Sequence, residues 1–217
     1  VGRWAAHRAR CPVVIHTIHG LAFTASASRV VNWVYRGLEK QAAPLTTRIV
    51  CVANAMRDQS LAAGVGTPDQ YVTVYSGMDI QPFVDSHRTR DVVRARLGLK
   101  PTDVVAGTIA RLFHMKGHDD LLDHARTLCA RHPDLKFLWV GDGLLRPAFE
   151  QRMAELGLRD RFVLTGMVKP HEVPQYVGAM DILVHPSRRE GLARALPQGQ
   201  LAGKPVVTYD VDGNREG

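Results

Sequence analysis

Apolar positions along this chain follow two rhythms. Short β-rich apolar runs recur between longer stretches in which apolar residues return every third or fourth position. The runs predict strands at Pro12 to Gly20 (PVVIHTIHG, a buried strand and its C-terminal loop), Arg48 to Ala53 and Tyr71 to Tyr75. Further strands are predicted at Val104 to Ile109, Lys136 to Val140, Phe162 to Leu164, Asp181 to Val184 and Pro205 to Tyr209. Arg3 to Arg10 reads as the tail of a helix. Ser28 to Ala42 repeats Val30, Val31, Val34, Leu38 and Ala42 with helical spacing. Asn54 is placed to cap a helix over Ala55 to Ala63 that Gly64 stops. Helices are also predicted at Val92 to Leu97, Asp119 to Arg131, Leu145 to Leu156 and His171 to Ala179, with a short one before Pro205. Strands alternate with helices throughout, so the expected class is α/β, with doubly wound parallel sheets. Pro82, after the turn Ser76-Gly77-Met78-Asp79, marks a boundary between residues 1–80 and 81–217. There is no internal repeat and no low-complexity segment.

With 217 residues, 45% of them hydrophobic, the chain can bury a real core. The formal charge of +7 lies within residues 1–100, the remainder being balanced. That asymmetry suits an acidic partner for the first part, such as an anionic membrane surface. Nucleic acid is disfavoured, because basic residues are not interleaved with aromatics and no recognition motif is present. Cys11, Cys51 and Cys129 are far apart, odd in number and lack metal-ligand spacing, as in a reduced, cytoplasmic protein. No apolar run approaches a membrane span. The chain begins with Val1 and stops at Gly217 just past a predicted strand, so a piece of a longer protein, cut at both ends, is expected.

The chemistry concentrates in HPSRREGLARALPQGQLAGKPVV, His185 to Val207. In open α/β sheets ligands bind beyond the carboxyl ends of strands. There Glu190 supplies an acid, Gly191 admits close backbone approach, and a following helix start offers N–H groups to phosphate. Gln198 comes eight residues later. On a continuous helix it would be about 12 Å from Glu190, roughly the sugar-to-ribose length of a nucleotide sugar. The plain alternative makes Glu190 a helix-entry acid favoured by the dipole. Arg111 and Lys116 flank the loop after the strand ending at Ile109, where two cations suit a diphosphate. His19 ends the strand of the first part, while His16, three residues earlier, is expected on the opposite face. His114 and His118 are spaced like metal ligands but lack a third, so no metal site is expected. Asp210-Val211-Asp212 reads as a loop rather than a metal-binding triplet.

This stretch resembles the signature of the family 4 glycosyltransferases, retaining enzymes of GT-B architecture. GTIARLFHMKGHDDLL resembles the same family's second motif, an Arg, a loop and Lys-Gly-His. The chain departs from the pattern at Gln198, where the family has a second Glu, and at Met115, where an acid is usual. The resemblance implies two Rossmann-like domains: residues 1–80 from the acceptor side, and 81–217 forming the nucleotide-sugar domain without its last helices. It implies transfer of a sugar from a nucleotide diphosphate sugar, such as a UDP- or GDP-sugar, to an acceptor hydroxyl with retained configuration. Arg111 and Lys116 would hold the pyrophosphate. Glu190 would bind sugar hydroxyls, Gly191, Leu192 and Ala193 would offer backbone N–H groups, and Gln198 would bind the ribose. His19 would lie near the reacting centre, and the loop Thr165 to Val168 against the base. No cofactor or metal is expected, and the acceptor would be a carbohydrate or a lipid-linked sugar. Two alternatives stay open: another GT-B enzyme, such as a sugar phosphorylase or nucleotide-sugar epimerase, and a nucleotide-sugar-binding piece without catalysis.

Overall fold

The computed structural model of the chain describes residues 1–24 and 27–217. The chain forms two compact units. The first joins Val1–Gly77 to two later segments, Glu190–Ala193 and Val211–Gly217; the second comprises Met78–Arg189 and Arg194–Asp210. Local sequence periodicity cannot show which unit a short returning loop packs against.

The first unit contains α1 (Gly2–Arg8), β1 (Ile15–Ile18), α2 (Arg29–Ala42), β2 (Arg48–Cys51), α3 (Asn54–Ala62) and β3 (Tyr71–Thr73). Its strands form a parallel sheet in the order β1-β2-β3. The central strand buries Ile49 and Cys51, which pack with Met56, Val65 and Tyr71. Burying each such side chain contributes about 1.5–3 kcal/mol. Burial pushes the Cys51 thiol up to about 11, so this sulfur is an inert part of the core.

Two expectations are corrected here, and one helix face is found exposed. The β1 run is not a fully buried strand. It lies at the sheet edge, with Ile15 63% exposed and Ile18 turned into the core. The apolar stripe of α2 does not face this core either. Among its described residues only Ala42 is buried, while Val30, Val31, Val34 and Leu38 are exposed. Ser28 caps the helix, its Oγ accepting from the Val31 N–H. Finally, Asn54 is the first residue of α3 rather than its cap. Its amide accepts from the Thr73 hydroxyl and donates to Tyr75. The helix start is closed by Glu216, whose carboxylate accepts from the Asn54 and Ala55 N–H groups and from the Tyr75 hydroxyl. A carboxylate at a helix N-terminus satisfies orphan donors and meets the positive end of the dipole.

The second unit begins with α4 (Gln81–Val84) and α5 (Arg90–Arg96). It continues through β4 (Val104–Ile109), α6 (His118–Arg131), β5 (Leu135–Val140), α7 (Arg146–Glu155) and β6 (Phe162–Leu164). It ends with α8 (Val173–Ala179), β7 (Ile182–His185), α9 (Ala195–Leu201) and β8 (Val206–Thr208). All neighbouring strands are parallel, in the order β6-β5-β4-β7-β8. Successive strands step outward from β4 through β5 to β6. The chain then returns to the other side of β4 and steps outward again through β7 to β8. The β4–β7 junction is thus the topological switch point, and its carboxyl end is where a crevice opens in such sheets. Phe137, Trp139, Leu112, Leu122 and Met153 fill the core on the β5 side, with Phe137 stacked on Phe162 at 4.5 Å between centroids. Asp181, just before β7, accepts from the guanidinium groups of Arg90 and Arg94 and from the Val105 N–H, which ties α5 to the sheet.

Candidate functional site

At the switch point, the loops leaving β4 and β7 are locked to one another. After β4 the chain passes Arg111, makes a 3₁₀ turn over His114–Lys116, and enters α6 through Gly117. After β7 it passes Pro186, Ser187 and Arg188. The Met115 carbonyl accepts from both the Arg188 N–H (2.9 Å) and the Ser187 hydroxyl (3.2 Å). Gly117 has φ +69°, and a Cβ there would lie 1.9 Å from the Pro186 oxygen. No other residue fits that left-handed position against a backbone carbonyl. The Lys-Gly-His string is therefore a packing requirement of the two-loop junction as well as a place for a cation.

The expected diphosphate cations both lie on this β4 loop. Arg111 is exposed, with its guanidinium 5.0 Å from the Phe113 ring centroid. Lys116 is half-buried and closes the 3₁₀ turn. His118 is buried against Trp139 and Phe149, with ring centroids 4.6 Å and 5.7 Å away. Both of its ring nitrogens are buried without a hydrogen-bond partner. Burial, helped by the nearby His185, holds its pKa down to about 4, so it is a neutral core residue. Among the described residues no cluster of three or more His, Cys, Asp or Glu could hold a metal.

Val168 is half-buried in the loop after β6, two residues beyond Gly166, which bridges to Gly141 after β5. Asp142, in the same loop as Gly141, accepts from the Gly143 N–H and pairs with Arg146. Turn chemistry accounts for it. Gln198 is half-buried on α9, which starts only at Ala195. Pro197 is accordingly in a first turn, where proline is tolerated. The span from Glu190 to Gln198 is not a continuous helix, so the 12 Å separation expected from one does not apply.

The other expected site residues belong to the first unit. His19 is exposed in the bend after β1. His16 was expected on the opposite face from His19. Both, however, line one cavity of ≈ 180 Å³ with Phe23, Glu39 and Val65. His19 is past the strand end, where alternation of faces no longer holds. The cavity is smaller than a nucleotide-sugar site requires. Arg3 and Glu39 pair beside it at 2.6 Å, and burial, then Arg3, lowers the His16 pKa.

Glu190, Gly191, Leu192 and Ala193 return to this unit as a short loop. A Cβ on Gly191 would be 2.1 Å from the His19 carbonyl, so glycine brings the two expected catalytic positions together. Leu192 packs on the β2 core, and Ala193 is buried. The Glu190 N–H donates to the Asp212 carboxylate at 2.9 Å, and the Gly213 N–H donates to the Gly191 carbonyl. Asp212, at φ 47°, also accepts from Gln59. Sequence reasoning missed Asp212 because the Asp-Val-Asp triplet, read as a plain loop, gave no sign of the Glu190 N–H it would accept from. It also missed Ser187 and Arg188, whose contacts with the β4 loop leave no periodic signal. Glu216 was missed because its partner helix is 161 residues away.

A family model described as "Glycosyl transferases group 1" matches residues 89–217. The Escherichia coli UDP-Gal:alpha-D-GlcNAc-diphosphoundecaprenol alpha-1,3-galactosyltransferase is 30% identical over 99% of this chain and 56% of its own length. The 2-deoxystreptamine glucosyltransferase of Streptomyces kanamyceticus is 32% identical over 85% of this chain and 47% of its own. Among solved structures, Anabaena HepE in complex with UDP and glucose superposes with a TM-score of 0.84 at 25% identity, covering 99% of this chain and 57% of that one. The chain spans about half the length of the curated relatives it matches. Its parallel α/β units are those of GT-B glycosyltransferases. With more than half its length matched by the family model, the chain belongs to the group 1 glycosyl transferases.

Proposed function

We propose that this chain carries the end of the acceptor-side domain (residues 1–80) and the donor domain (residues 81–217) of a retaining, family 4-type glycosyltransferase, which moves a sugar from a nucleotide diphosphate sugar to an acceptor hydroxyl. The observation that carries this reading is the locked β4–β7 junction. It holds Arg111 and Lys116 on one loop at the carboxyl end of a doubly wound sheet. In the reaction, the bond from the anomeric carbon to the diphosphate breaks, a bond to the acceptor oxygen forms on the same face, and the acceptor's hydroxyl proton passes to the leaving diphosphate. Negative charge builds on the leaving phosphate, and Arg111 and Lys116 stabilise it there. Glu190 binds hydroxyls of the donor sugar, with Gly191 to Ala193 beside it, Gln198 takes the ribose, and Val168 lies against the base. His19, against Gly191, serves the reacting centre. No step in this scheme needs a metal.

The complex of the Anabaena relative with UDP and glucose supports a UDP-sugar as donor. The E. coli relative's diphosphoundecaprenol substrate supports a lipid-linked acceptor. For such an acceptor the enzyme works in the cytoplasm, peripherally against an anionic membrane. No helix among the described residues is long and apolar enough to cross one.

The test is donor binding and turnover by the full-length protein against a panel of UDP-, GDP- and ADP-sugars. Transfer to an acceptor, rather than release of free sugar or sugar phosphate, separates this reading from a phosphorylase or an epimerase. Lys116→Ala is expected to weaken nucleotide-diphosphate binding by about 10- to 100-fold. Unchanged dissociation constants in both Lys116→Ala and Arg111→Ala would overturn the phosphate assignment.

A further inference from the structure

We propose that Arg188 is an electrostatic positioning residue for the donor diphosphate. This inference rests on the reading of the Lys116 loop as the diphosphate site. The loop opens directly into α6, and the first turn of α6 carries Asp119 and Asp120. Two carboxylates there suit the helix dipole. They are unfavourable for an anion seated at the same loop.

Arg188 cancels most of that conflict. Its Nη2 donates to Asp119 Oδ2 at 2.9 Å and to Asp120 Oδ1 at 2.5 Å, and its Nε donates to Asp120 Oδ2 at 3.2 Å. The fork therefore holds Asp120 with two bonds and reaches Asp119 with a third, a geometry that lysine cannot reproduce. The two carboxylates raise the guanidinium's pKa further, so the cation is permanent. Tyr209 donates to Asp120 as well. The main chain of Arg188 is equally fixed, its N–H bonded to the carbonyl of Met115, the residue before Lys116. One residue thus ties the β7 loop to the β4 loop and takes up both acids. The local field is then less repulsive to a phosphate on this loop. As an exposed ion pair the cluster contributes little to stability, so its consequence is for the charge presented to the ligand.

The experiment uses the full-length protein and calorimetric binding of UDP, GDP and ADP and of their nucleosides. Arg188→Met keeps the apolar stem and removes the charge. It is expected to weaken the preferred nucleoside diphosphate about tenfold at low salt, with the loss shrinking as salt rises. The affinity for the nucleoside alone should be unchanged. Adding Asp119→Asn and Asp120→Asn to Arg188→Met should restore diphosphate binding, because the charges Arg188 offsets are then gone. A merely structural role would weaken nucleoside and diphosphate alike and would not be rescued by neutralising the acids, and either result overturns the proposal. If Lys116→Ala weakens diphosphate binding while Arg188→Met does not, this inference fails and the diphosphate reading stands. If none of the three diphosphates binds the wild type, both fall.

Discussion

Single residues carry the most specific consequences. In the proposed reading, Gln198 stands where the family 4 pattern has a glutamate. A carboxylate accepts two strong bonds from a ribose diol, whereas an amide offers one acceptor oxygen and a donor. Bonds to charged groups are worth roughly 1 kcal/mol more than neutral ones, about fivefold in affinity. Gln198→Glu in the full-length protein is therefore expected to lower donor KM several-fold with little change in kcat, whereas Glu190→Gln should cut kcat by orders of magnitude. Steady-state kinetics checks both, and wild-type turnover by Glu190→Gln would remove Glu190 from the catalytic scheme. His118 sets a different dependence. Its pKa falls from the ordinary histidine value of 6.5 in the unfolded chain to about 4 in the fold. The unfolded state thus binds the extra proton between these values. Stability is full above pH 6.5 and is lost as the pH falls toward 4, by an amount of order 3 kcal/mol. Denaturant titration at pH 7 and pH 4.5 measures this loss. His118→Phe, which keeps the ring contacts with Trp139 and Phe149, should flatten it. Equal pH dependence in wild type and variant would show that other groups carry it. The role of His118 in the core was not legible in the sequence, where its spacing from His114 suggested only a weak metal pair.

At the scale of elements, apolar runs located most strands closely. The span Val104–Ile109 was legible to the residue, as was Phe162–Leu164. These are interior runs between clear breakers, where alternation and length leave one solution. The start of α3 was misplaced because Asn54 is a good local cap, while the groups that actually close the helix belong to Glu216, far along the chain. Helix α2 was read correctly as a helix, and its apolar stripe is exposed. It shows Trp33 78% exposed and Val30 71% exposed, with Tyr35 and Leu38 also exposed and the cations Arg29, Arg36 and Lys40 on the same helix. Aromatic and aliphatic residues beside cations suit an anionic bilayer surface, where apolar side chains enter the headgroup boundary and Lys and Arg meet lipid phosphates. Full-length protein is expected to bind phosphatidylglycerol vesicles in preference to phosphatidylcholine vesicles, less so as salt rises, and Trp33→Ser with Val30→Ser should weaken that binding. Equal sedimentation with both lipids, or no effect of the double substitution, would exclude α2 as the contact.

For the whole molecule, the sequence by itself determined the fold class and the loops where candidate site residues lie. Strand and helix periods alternate, so the chain could only build parallel, doubly wound sheets. The Arg111 to His118 and His185 to Gln198 strings marked the loops beyond the strand ends, because ligand-facing glycines and charges concentrate there in such folds. Tertiary structure decided the rest. It assigned Glu190–Ala193 and Val211–Gly217 to the first unit, although both lie deep in the later sequence. It set His16 and His19 around one cavity. It locked Lys116 to the β7 loop through the Met115 carbonyl and turned Asp119 and Asp120 toward Arg188. The physical reason is one of range. Side-chain periodicity records which face of an element is buried, and it acts over a few residues. Backbone hydrogen bonds between loops and ion pairs 68 or 69 positions apart leave no period to read. They exist only once the sheet has brought the carboxyl ends of β4 and β7 side by side.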